Sequence, residues 1–148
     1  MTKREQFRYT EKCLYDYQKN LNVLEIIERD LEIARASLDV KAQNYEQTTG
    51  INSHSDPVAM RLERIENLEF KQMRLERLTI PITKMMTELK MNALEGSNNW
   101  LLLEILRLMY FGKNPPREIC EELKISDRTF SRKRQILVIT AIDYMVAT

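Results

Sequence analysis

Histidine occurs once in this chain, at His54, and cysteine twice, at Cys13 and Cys120. A structural zinc site wants four nitrogen or sulfur ligands at short paired spacings, which three scattered residues do not supply. A Ser–His or Cys–His nucleophilic pair would have to use His54, which stands in a polar stretch with no accompanying motif. Two distant cysteines make no disulfide framework, and such sparing use suits a reducing cytoplasm. Glycine is equally scarce: Gly50, Gly96 and Gly112 stand alone, so no glycine-rich loop is available to cradle phosphates. With only four prolines beside them, these residues favour long helices over a strand-and-turn protein. No uninterrupted apolar run is long enough for a bilayer, and Met1-Thr-Lys-Arg-Glu is not followed by the apolar core of a secretory signal. The many carboxylates alternate with Lys and Arg, a pattern of surface pairing and not of acid–base chemistry. The expectation is a cytoplasmic protein that is not an enzyme, uses no cofactor or metal, and has no membrane partner.

What is present begins with charge placement. The formal net charge of +1 does not announce a nucleic-acid binder. Residues 1–97 hold 15 Lys and Arg against 16 Asp and Glu, whereas residues 98–148 hold 8 against 6, and four of those eight lie between 128 and 134. A like-charge cluster is most often a solvated helix face, so its setting has to decide its meaning. That setting is three helix-length segments between 98 and 147 separated by two stops. The first, Trp100 to Phe111, is apolar on most faces, and Gly112 is predicted to end it in the left-handed conformation. Asn114 is placed to cap a second helix, with Pro115 at its first position. Ile119, Cys120 and Leu123 share one face of that helix, while Arg117, Glu118, Glu121 and Glu122 face water. Ser126 then caps a third helix, Asp127 favours its positive end, and Phe130 is its first apolar anchor. A short helix, a tight turn and a capped helix with a buried residue make a helix-turn-helix pattern. Arg128, Arg132, Lys133 and Arg134 follow with no acidic residue between 128 and 135. A helix that enters a DNA major groove needs such a face, because phosphates surround it.

Leu106 to Leu137 resembles region 4 of bacterial sigma factors. There a Leu-rich helix ending in Tyr-Phe precedes an Ile-Ala-x-x-Leu-x-Ile-Ser helix-turn-helix; this chain has Met109-Tyr110-Phe111, Ile119-Cys120 and Leu123-Lys124-Ile125-Ser126. More narrowly, Asp127-Arg128-Thr129-Phe130-Ser131-Arg132 is similar to a run in the ArpU/RinA-type phage late-gene transcriptional regulators. The motifs cover about a quarter of the chain. Lys124 stands where the family has its turn Gly, and Lys133 where relatives often carry an apolar residue. The resemblance implies a bacterial host cytoplasm, a double-stranded DNA partner and a contact with host RNA polymerase.

Upstream, residues 3–18 read as a helix with Phe7, Cys13, Leu14 and Tyr17 along one side; two Asn and a Lys near Asn20–Asn22 suit a turn, and the sequence leaves open whether a break there separates this helix from the next. Leu24, Ile27, Leu31, Ala34 and Leu38 alternate steps of three and four, as in a helix–helix seam. Residues 47–56 are polar and aperiodic, a loop, after which Asp56-Pro57 opens another helix. Along it Leu68, Leu75, Ile82 and Leu89 are each seven apart, with Ile65, Gln72, Thr79 and Met86 as companions. Pro81 is expected to kink or split that helix near Thr79. The stripes bury one another in a helical hairpin, or join two copies in a homo-oligomer; both can hold together. Residues 136–147 are rich in β-branched side chains yet continue the third helix, since no turn signal separates them from Gln135.

The fold expected is all-α: a helical hairpin or coiled-coil-like region over 1–95, for self-association or partner contact, then a sigma-region-4-like helix-turn-helix DNA-binding domain over 96–148. Ser126, Asp127, Arg128, Ser131, Arg132 and Gln135 are expected to look into the DNA groove. Thr129, Lys133 and Arg134 lie to its sides for backbone contacts, and Asn114 and Arg117 hold the phosphate strand. Ile119, Cys120, Leu123, Ile125 and Phe130 are expected in the core. The functional expectation is a sequence-specific late-gene activator. Beside it stand a polymerase-binding module that makes no DNA contact and a small-terminase-like DNA-packaging subunit.

Overall fold

The computed structural model describes residues 1–47 and 57–147, without the side chains of 39–47. The expected loop and His54 lie outside the described residues, apart from Gln47. Among the described residues every element is helical: α1 spans Lys3–Gln47, α2 Pro57–Met91, α3 Asn98–Ile105, α4 Pro116–Leu123 and α5 Asp127–Ala147, and a π-helical segment, Leu106–Phe111, continues α3. None of these helices is long and apolar enough to cross a membrane.

A reciprocal cap starts α1. The Glu5 N–H donates to the Thr2 hydroxyl and the Thr2 N–H to the Glu5 carboxylate, both at 3.2 Å. The open question at Asn20–Asn22 is answered by α1, which continues through these residues without a turn. Two asparagines cost a helix only about 0.7 kcal/mol each at most. Against that, Thr10, Tyr17, Leu24 and Leu31 are each seven apart and all buried, so one stripe passes through the Asn pair uninterrupted. Pro81 does not split α2 either. It denies the Arg77 carbonyl its helical donor, at a cost of roughly 3 kcal/mol. Ile82 and Met85 just beyond it are fully buried, each contributing about 1.5–3 kcal/mol. That burial offsets the missing bond.

The chain packs as two compact units, Met1–Asn20 with Arg77–Thr148, and Leu21–Glu76. This division is not the expected one at 95/96, because the first turns of α1 and the last of α2 belong with the C-terminal helices. In the Leu21–Glu76 unit, Ile27, Leu31 and Ile65 form a small core joined by Leu38, Leu68 and Leu75. Arg61 bonds to Ser37 and Arg35 to Glu69, so the two helices run antiparallel. The other unit holds the larger core. Cys13, Leu14 and Tyr17 of α1 and Ile82, Met85 and Leu89 of α2 meet Leu102, Ile105, Tyr110, Ile119, Phe130 and Leu137 in one cluster.

Ser97 starts α3 by accepting from the Trp100 N–H at 3.2 Å. At its far end Gly112 is not left-handed (φ −83°); Lys113 is, at φ 58°. The π turns bring the Gly112 N–H to the Arg107 carbonyl at 2.8 Å, and Asn114 N–H reaches back to Leu108 at 3.0 Å. Gly112 is needed for closeness: a Cβ there would stand 2.9 Å from the Leu108 carbonyl oxygen. Lys113 holds its conformation with Nζ on the Tyr15 carbonyl (2.9 Å) and over the Tyr15 ring (4.8 Å). The start of α4 also differs from expectation by one residue. Pro115, extended, is the cap position, Pro116 the first helical residue, and Asn114 does not cap.

Between α4 and α5 the chain turns through Lys124, at φ 56° and ψ 46°. Here the left-handed residue is a lysine, which pays the Cβ–carbonyl clash that glycine avoids. Lys124→Gly is therefore expected to raise stability by roughly 0.5–1 kcal/mol, and Lys124→Val to lower it. Urea unfolding followed by circular dichroism checks this; a glycine variant no more stable than the parent would show the conformation to be unstrained.

Candidate nucleic-acid interface

α5 is tied down at its start and along its inner side. Ser126 accepts from the Thr129 N–H at 3.1 Å and donates its hydroxyl to Thr129 Oγ1 at 2.9 Å. Phe130, Leu137, Val138 and Ala141 are buried, against Ile119 and Cys120 of α4 and the apolar α3. Ile119, Cys120 and Phe130 are in the core as expected, with Leu123 and Ile125 half-buried against it. Burial pushes the Cys13 and Cys120 thiols up, with Asp127 adding to the effect at Cys120. A raised pKa favours the thiol over the nucleophilic thiolate.

The outward face of α5 is left by difference. Arg128, Ser131, Arg132, Gln135, Ile136 and Ile139 are all exposed, at the i, i+3, i+4, i+7 spacing of a single helix side. Arg128 and Arg132 have no hydrogen-bond or ion-pair partner among the described residues, and Ser126 and Asp127 are exposed at the same end of the helix. Two guanidinium groups one turn apart, on a helix otherwise fixed in place, can each present a planar donor fork to a guanine edge or a phosphate.

Other expected residues have different occupations. Arg134 is not free for a DNA backbone. Its guanidinium grips Glu11 of α1 through three bonds of 2.8–2.9 Å, and the Tyr110 hydroxyl donates to the same carboxylate at 2.6 Å. The Glu11 side chain is only 14% exposed, so the carboxylate sits largely out of water, while the Arg134 side chain stays 36% exposed. Burial first, and then the neighbouring carboxylate, push the Tyr110 hydroxyl far up; burial opposes the Arg134 charge, but Glu11 and Tyr110 together outweigh it and raise its pKa. Position 134 falls on the flank of α5 that meets α1, a pairing invisible to local sequence. Lys133 is half-buried and donates to Asn98 Oδ1 at 2.6 Å. Thr129 is half-buried beside its cap. Asn114 is half-buried, while Arg117 is exposed and pairs loosely with Glu121 at 3.5 Å.

Glu11→Ala is expected to cost about 1–3 kcal/mol, toward the lower end because Arg134 keeps some access to water. A chemical denaturation curve measures it, and a loss under a few tenths would show that the pair only decorates the surface.

Residues that sequence reasoning passed over lie at the start of α1. Lys3, Arg4 and Arg8 are exposed and line a groove with Gln135 and Ile139 of α5. Their basic spacing was visible, but nothing local placed them beside α5. Comparison of the chain with family models, with curated proteins and with solved structures finds no match.

Proposed function

We propose that this chain is a sequence-specific regulator of transcription that binds double-stranded DNA. Its closest functional type would be the phage or prophage late-gene activators of the ArpU/RinA kind, acting with host RNA polymerase. One observation carries the reading. A serine-capped helix is anchored inward by Phe130 while Arg128 and Arg132 stand outward, unpaired among the described residues. An unpaired arginine pair on a rigid helix is unfavourable company for itself and favourable for phosphates and guanine edges. The short α4, the turn at Lys124 and α5 follow one another in the order that a helix-turn-helix uses, α5 taking the reading role. Self-association has support of its own, since the Leu21–Glu76 unit leaves Ile26, Ile33 and Phe70 exposed.

Selection of bound duplexes from a random pool, followed by titration at several salt concentrations, tests the proposal. The expected result is a preferred site whose log affinity falls with log salt by about 0.9 per phosphate neutralised. Footprinting on that site then reads the spacing of any half-sites, and hence whether two copies bind. Absence of duplex binding, together with retention on RNA polymerase, would overturn it in favour of an interaction module.

A further inference from the structure

Beside the outward face of α5 lies a groove of about 520 Å³. Lys3, Arg4, Phe7 and Arg8 of α1 line one side of it and Gln135 and Ile139 of α5 the other, together with the Glu11–Arg134 pair. The groove is basic in effect as well as in composition. Its one lining carboxylate, Glu11, is paired with Arg134, and Glu5, which keeps its charge while accepting from the Thr2 N–H, does not line the groove. Lys3, Arg4 and Arg8 are exposed and have no partner among the described residues.

Gln135 belongs both to this groove and to the helix side that carries Arg128 and Arg132, so the two basic surfaces are continuous. From Arg128 to Ile139 the helix rises about 16 Å. A major groove is about 12 Å wide, so a helix that reads bases with its first turns already reaches the flanking strand by Gln135 to Ile139. The start of α1 is held there rigidly, by Glu11 on Arg134 and Tyr110 and by Lys113 on the Tyr15 carbonyl.

We propose that the start of α1 is a second arm of the DNA interface, in which Lys3, Arg4 and Arg8 take the phosphates of the strand bordering the groove that α5 reads. This rests on the reading of α5 as the DNA-reading helix. Phosphate contacts set register and strength without reading sequence. The arm therefore fixes how α5 is aimed, and α5 supplies the choice of site.

The test uses the full chain and mixed-sequence duplex DNA, titrated across a salt series. Three proteins are compared: the parent, a Lys3→Gln/Arg4→Gln/Arg8→Gln variant, and an Arg128→Ala/Arg132→Ala variant. The α1 variant is expected to bind every duplex more weakly, with its log–log salt slope shallower by about 2–3. Its thermal melt should match the parent's, because all three side chains are exposed. Arg4→Lys with Arg8→Lys keeps the charge and should keep the parent slope, which guards against a folding artefact. A parent-like slope in the triple glutamine variant, with a reduced one in the α5 variant, overturns the arm and leaves α5 as the helix that contacts DNA. A parent that binds no duplex at any salt overturns both readings, and does so in the parent alone.

Discussion

Phe130→Ala is expected to lower the stability of the unit that holds α5 by about 3–5 kcal/mol, the usual cost of emptying a buried phenylalanine site. Phe130 is 5% exposed and sits in one cluster with Ile119, Cys120, Leu137 and Tyr110, on the first turn after the Ser126 cap. No other apolar side chain of α5 is buried before Leu137. The ring therefore fixes the start of the helix, and truncation frees the turns that bear Arg128 and Arg132. A domain of this size has only about 5–15 kcal/mol in hand, so the melting temperature should fall on the order of 10–20 °C. Calorimetry or a circular dichroism melt reads this directly. A loss below about 1 kcal/mol would mean that α5 is positioned by something other than this residue.

Arg128→Ala with Arg132→Ala is expected to do the opposite: leave the melt unchanged and abolish selective DNA binding. A guanidinium that reads a base contributes about 1–3 kcal/mol, so each substitution weakens binding on the order of 5–150-fold. The two sit one turn apart and need not add in full. Fluorescence anisotropy on the selected site, beside a scrambled duplex, separates the roles. Loss on the selected site alone marks base reading, and equal loss on both marks phosphate contact. Parent-like affinity in the double variant would remove α5 from the interface. Set against Phe130→Ala, the pair distinguishes a defect of scaffolding from a defect of contact, since only the former moves the melt.

Much of the architecture was legible because it rests on short-range periodicity. The steps of three and four from Leu24 to Leu38 and of seven from Leu68 to Leu89 put apolar groups on one side of a helix whatever the partner; of these Leu24, Ile27, Leu31, Ile82 and Leu89 are buried and Ala34, Leu38, Leu68 and Leu75 half-buried. Ser126 and Phe130 were readable for the same reason, since a cap and an anchor four residues later act within one turn. The β-branched run after Gln135 remained helical because Leu137, Val138 and Ala141 are buried there, which outweighs a modest intrinsic preference for strand. Two turn positions fall one residue later than their local signals indicate. Gly112 was expected to be left-handed and Lys113 is, because the π-helical turns before it shift the reversal along the chain.

By itself, the sequence determined that the described chain is helical, which side of each helix is apolar, and that one capped helix gathers arginines without carboxylates among them. These follow from interactions spanning a turn or less. Only the tertiary structure decided that Met1–Asn20 packs with Arg77–Thr148, that Arg134 is committed to Glu11 and Tyr110, and that Lys3, Arg4 and Arg8 stand beside the face of Arg128 and Arg132. An amphipathic stripe requires burial but does not name its partner. Which stripes meet depends on how all the helices fill one core together.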